Sequence, residues 1–249
     1  MGVGIFGKRG LSQTLFFQNQ PQLVFLFGII YNKTMKLLLT SAGIQNQSIA
    51  KAILDLTGLP ASKINLVFIP TAANIEEGDK GWLIDDLTHF KQQGYKSIDI
   101  VDIAAVSQDI WQPRLKAANL LCFGGGNEQY LARILRESGL RDLLPNLLKT
   151  RVYMGVSAGS MVAGQSISRE LLQIIYPEEK FKEELEPALN FVNCNLIAHL
   201  NSPHFPQRKK EIQSLKNLTV PLYFLDDQSA LKVIDGKIEV VTEGEYLKI

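Results

Sequence analysis

A chain of 249 residues is long enough for one large sheet-centred core, which excludes mini-scaffolds, and it contains no internal repeat. With 46% hydrophobic and 20% charged residues it has a globular rather than a disordered composition. The 26 Lys plus Arg nearly cancel the 25 Asp plus Glu, so a formal charge of +1 leaves no electrostatic footprint for nucleic acid or an anionic membrane.

Residues 1–34 begin with Lys8 and Arg9, pass through a Gln/Asn-rich stretch and end in the apolar run 23–31. That run is too short for a bilayer span, which needs roughly 20 residues. The outline of a secretory signal is broken by the polar interruption and the missing small-residue cleavage site. The expectation is a poorly packed N-terminal extension, as from an upstream start codon, followed by a single domain over residues 35–249. From Met35 onward short apolar runs alternate with amphipathic ones, the rhythm of a mostly parallel α/β sheet with crossover helices. Buried strands are predicted at 37–40, 66–69, 97–101, 120–123 and 152–156, and helices at 47–56, 81–93, 128–137 and 140–148. Gly58 reads as the C-cap of the first helix. Residues 169–187 read as a charged surface excursion. The segments 222–225, 230–233, 237–241 and 245–248, with Asp235-Gly236 as a turn, read as C-terminal β-hairpin strands. The two cysteines, Cys122 and Cys194, fit neither a metal knuckle nor a disulfide framework and read as free thiols in a cytoplasmic, reducing compartment.

Gly155-Val156-Ser157-Ala158-Gly159 fits G-x-S-x-G and stands between a predicted strand and a predicted helix start. Such a turn pushes its central serine outward at the carboxyl edge of the sheet, where open α/β folds bind ligands. Ser157 is therefore the candidate nucleophile, and the Ala158 N–H a candidate oxyanion donor. The run Gly124-Gly125-Gly126-Asn127, between the fourth strand and its helix, exposes bare backbone amides. It lacks the Gly-Lys-Ser/Thr of a phosphate loop, so an oxyanion partner at Gly125 or Gly126 is the better assignment. A serine needs a base, and the histidines are His89, His199 and His204. His204, on the loop stiffened by Pro203, is favoured over His199 because loops carry catalytic groups more often. Asp227, with Asp226 as its alternative, is the candidate carboxylate to orient the imidazole.

Together, residues 35–41, Ile69-Pro70-Thr71-Ala72, Phe123 to Asn127, Gly155 to Ser160 and Pro203-His204-Phe205 resemble peptidase family S51, over about residues 35–231. The resemblance implies a three-layer, flavodoxin-like fold related to class I glutamine amidotransferases, with serine in place of their cysteine. It also implies a serine exopeptidase acting on small peptides, possibly dipeptides with N-terminal Asp, through Ser157, His204 and Asp227. Gly125, Gly126 and Ala158 would form the oxyanion hole. Asn127 and Arg208 would bind substrate, Arg208 being the only nearby group able to grip an aspartate side chain. No metal or cofactor is implied, no nucleic-acid or membrane partner is expected, and a homodimer is a compatible assembly. An esterase or amidase, or a non-catalytic ligand-binding protein on the same scaffold, are the alternatives.

Overall fold

Strands that are apolar on both faces need cover on both, and helices supply it here. The computed structural model describes residues 35–177, 180, 184–205, 218 and 220–249. The expected N-terminal extension and Arg208 lie outside the described residues. The strands in chain order are β1 (Lys36–Thr40), β2 (Asn65–Ile69), β3 (Ser97–Ile100), β4 (Leu120–Phe123), β5 (Val152–Val156), β6 (Asn195–Ile197), β7 (Leu222–Leu225), β8 (Ser229–Ile234), β9 (Lys237–Thr242) and β10 (Tyr246–Lys248). The helices are α1 (Gln47–Thr57), α2 (Gly81–Gln92), α3 (Gln108–Ala117), α4 (Glu128–Glu137), α5 (Leu140–Leu147), α6 (Ala158–Met161) and α7 (Arg169–Ile175).

The main sheet has the order β3-β2-β4-β5-β1-β8-β9, with its first five strands parallel and β8 and β9 antiparallel at the far edge. This is the expected flavodoxin-like α/β architecture. Successive residues of β1 feed opposite cores: Leu37 and Leu39 pack with Trp111, Leu131 and Leu144, whereas Leu38 packs with Ile49, Ile53 and Phe90. All three leucines are fully buried, so truncating one to alanine costs about 2–5 kcal/mol. Helix α1 starts where the Asn46 side chain accepts from the Ile49 amide and stops at Gly58, whose φ of 66° permits the left-handed C-cap. The β8–β9 hairpin turns on Asp235 and Gly236, both at positive φ, as a two-residue primed turn requires.

Three expectations change. β3 is an edge strand, with Ile100 exposed, because no strand among the described residues lies beyond it. β7 is not a hairpin strand beside β8. It lies at the centre of a second sheet, β10-β7-β6, parallel to β6 and antiparallel to β10. All four of its residues are buried, and a strand covered on both faces belongs inside a sheet rather than at a solvated hairpin. The supposed surface excursion after residue 168 opens with α7, capped by the Ser168 side chain, whose Leu172 and Ile175 pack against Ile197, Leu222 and Phe224. No helix among the described residues is long and apolar enough to cross a membrane.

For the site, the decisive feature is that β4, β5 and β1 are parallel neighbours. Their carboxyl ends open side by side, with the triple-glycine loop after β4, Ser157 after β5 and Ser41 after β1.

Candidate active site

Ser157 stands between β5 and α6 with φ 48° and ψ −109°, a conformation that a side chain adopts only under constraint. The constraint is visible. The Ser157 amide donates to the Thr40 carbonyl at 3.1 Å. The buried Ser160 hydroxyl donates to the same carbonyl at 2.7 Å, and the Thr40 hydroxyl donates to the Gly155 carbonyl at 2.7 Å. Tyr153, buried under the turn, donates its hydroxyl to the Gly159 carbonyl at 2.6 Å. The two motif glycines are required by contact: a Cβ on Gly155 would meet the Ser160 nitrogen at 2.5 Å, and one on Gly159 would run into the Phe123 carbonyl of β4.

The imidazole comes from His199, two residues beyond β6, and not from His204. His199 Nε2 lies 2.9 Å from Ser157 Oγ, and His199 Nδ1 lies 2.7 Å from Asp227 Oδ1. An ionised carboxylate can only accept, so Nδ1 carries the proton and Nε2 presents its lone pair to the serine hydroxyl. His199 adopts φ 63°, which turns the chain sharply off the strand and aims the ring across the main sheet's edge. His204 is exposed, its amide donates to the Ser202 hydroxyl at 3.3 Å, and its ring contacts neither Ser157 nor Asp227. The loop's contribution to the site comes through the following residue, since Phe205 stacks on His199 with centroids 4.5 Å apart and planes 15° from parallel. His89, on α2, is half-buried, as its helical setting suggested.

Asp227 rather than Asp226 meets the histidine. The hydrogen bond from His199 holds the Asp227 carboxyl below the usual carboxylate range, assisted by the Ser41 hydroxyl donating to Oδ1 at 3.1 Å. Asp226 is committed to the C-terminal turn, where it accepts from the Ser229 hydroxyl at 2.6 Å and the Glu245 amide at 2.5 Å. Ser41 went unnoticed in the sequence. Its hydroxyl also accepts from the His199 amide at 2.7 Å, so one buried side chain fixes both the histidine backbone and the aspartate. Its position at the end of the strand neighbouring the elbow was the available signal.

Of the proposed oxyanion donors, Ala158 heads α6, where a helix leaves its first amides without intrahelical partners. Gly125 lies against Ser157, with the point its Cβ would occupy 3.5 Å from Ser157 Cβ. At Gly126, with φ 126°, a Cβ would strike the Ala72 carbonyl, which accepts from the Asn127 amide at 2.8 Å. Asn127 is a helix cap, its side-chain oxygen accepting from the Tyr130 amide at 2.9 Å, so that oxygen is committed to α4 rather than to a substrate. Among the described residues, no three His, Cys, Asp or Glu side chains are grouped to hold a metal ion.

A strained serine at the crevice of a parallel sheet, hydrogen-bonded to an imidazole that is in turn hydrogen-bonded to a carboxylate, is the constellation this α/β fold presents. The chain belongs to peptidase family S51, whose description it matches over residues 37–241. Among solved structures it is similar to a protein described as a candidate peptidase E from Listeria monocytogenes EGD-e, with 19% identity and a TM-score of 0.69 over 85% of this chain and 100% of that one. It is also similar to a peptidase from an acI-B1 Actinobacterium, with 20% identity and a TM-score of 0.60 over 87% of this chain and 98% of that one. At these identities the likeness is one of fold. No curated protein sequence matches it.

Proposed function

We propose that this chain is a serine exopeptidase that hydrolyses small peptides through an acyl-enzyme on Ser157. Ser157 Oγ attacks the scissile carbonyl while His199 Nε2 takes its proton, and the amides of Ala158 and Gly125 receive the developing oxyanion. The resulting imidazolium is held by Asp227 and returns the proton to the leaving amine as the C–N bond breaks. Water, deprotonated by the same nitrogen, then attacks the ester and releases the acid. The observation that carries this reading is the unbroken chain of two hydrogen bonds from Ser157 through His199 to Asp227. Membership of a peptidase family supports a peptide as the acyl donor.

The preference for N-terminal Asp implied by the resemblance depends on Arg208. Among the described residues, no lysine or arginine bonds to Ser157, His199, Asp227 or Ser41. A cytoplasmic location fits the two unpaired, buried thiols of Cys122 and Cys194. The test is hydrolysis of a dipeptide panel by Ser157→Ala. Turnover should vanish while far-ultraviolet circular dichroism stays unchanged, and undiminished hydrolysis would remove the proposal.

A further inference from the structure

Along the edge of the main sheet the site has two ends. Gly125, after β4, lies on one side of Ser157; Ser41, after β1, lies on the other and holds the His199 amide. A leaving amine must stay within reach of His199 Nε2 to collect its proton, so the leaving group occupies the β1 side, beside the Phe205 ring. The acyl half of the substrate is thereby directed to the β4 side.

What stands there is Trp82, in the first turn of α2. Its Cζ3 atom lies 3.5 Å from the point a Gly125 Cβ would occupy, the same separation as Ser157 Cβ, so the indole edge and Ser157 Cβ are at most about 7 Å apart. The indole is 38% exposed, whereas the chain's other tryptophan, Trp111, is 1% exposed. Two hydrogen-bonded connections keep this wall in register with the nucleophile. The β2–α2 segment accepts the Asn127 amide through Ala72, and the Gly124 amide donates to the Ile69 carbonyl at 3.0 Å. Gly125 has no side chain to fill the space between indole and serine. An aromatic acyl side chain placed there finds an indole to cover it.

Resting on the reading of Ser157 as nucleophile, we propose that Trp82 is the specificity-determining residue of the acyl subsite and selects peptides whose residue before the scissile bond is apolar and of aromatic size. The experiment measures kcat/KM for Phe-Leu and Asp-Leu, which share a leaving group, together with fluorophosphonate labelling of Ser157 in each variant. The wild type should favour Phe-Leu by about tenfold or more. Trp82→Ala should bring the ratio to about one and Trp82→Phe should keep most of it, a change in discrimination that a structural role would not produce. A wild type that labels yet prefers Asp-Leu, or cleaves neither dipeptide, overturns the inference alone. So does a Trp82→Ala variant in which both substrates fall together at an unchanged ratio. Failure of wild-type Ser157 to label removes the hydrolytic reading, and this inference with it.

Discussion

Asp86 gives the sharpest energetic prediction. It sits on α2, is 6% exposed, and has no hydrogen-bond partner among the described residues; its Oδ1 lies 2.6 Å from where a Gly43 Cβ would be. Burial, with the neighbouring charge of Asp85, pushes its carboxyl from the ordinary 3.8 to about 7. The folded state therefore keeps a proton that the unfolded chain has already lost, so stability is fully present below about pH 4 and declines as pH rises through 7. That difference corresponds to about 4 kcal/mol. Asp86→Asn cannot ionise, so its unfolding free energy should lack this decline. The difference between variant and wild type should grow with pH by up to about 4 kcal/mol, equivalent to about 2–4 °C in Tm per kcal/mol. Any constant penalty from an unpaired Asn amide shifts both ends of the profile equally and leaves the slope readable. Urea unfolding at intervals between pH 4 and 8 is the assay. Parallel profiles for the two proteins would refute the assignment of a buried, titrating carboxyl.

Other outcomes follow from the site. Asp227→Asn should lower kcat by about four orders of magnitude with the fold intact, because an amide no longer fixes the Nδ1–H tautomer; steady-state kinetics on any cleaved dipeptide reads this. Asp226→Asn should instead lower the thermal midpoint while leaving kcat within about threefold, since its contacts are to Ser229 and Glu245. Gly159→Ala should cost about 1–3 kcal/mol in urea unfolding, as the added methyl meets the Phe123 carbonyl and the elbow must shift.

The elbow and the parallel sheet were readable because local and tertiary demands coincide there. The short apolar runs of β1, β2, β4 and β5, bounded by turn residues, fit central strands, and Gly155-Val156-Ser157-Ala158-Gly159 fits a tight strand-to-helix turn. Helix α4 was visible to both ends, Glu128 and Glu137, for the same reason. The histidine was misassigned because its placement is tertiary. β6 is three residues long, and its parallel pairing of Ile197 with Phe224 is what sets His199 beside Asp227. No periodicity in so short a strand announces that register. The left-handed backbone of His199 is equally invisible, since histidine is not a residue that signals positive φ as glycine does. The loop argument that favoured His204 found a real feature of the site but the wrong side chain: Phe205, not its neighbour, comes to the imidazole. Ser41 and Trp82 escaped for a related reason. Each acts through a partner distant in sequence, Asp227 and Gly125 respectively.

The account stands most directly on one chemical measurement: reaction with a fluorophosphonate, followed by mass-spectrometric mapping of the modified residue. Wild type and His204→Ala should both be modified at Ser157 at comparable rates, and His199→Ala should react slower by about two orders of magnitude or more. Modification at another residue, or His199→Ala reacting as fast as wild type while His204→Ala fails, would contradict it.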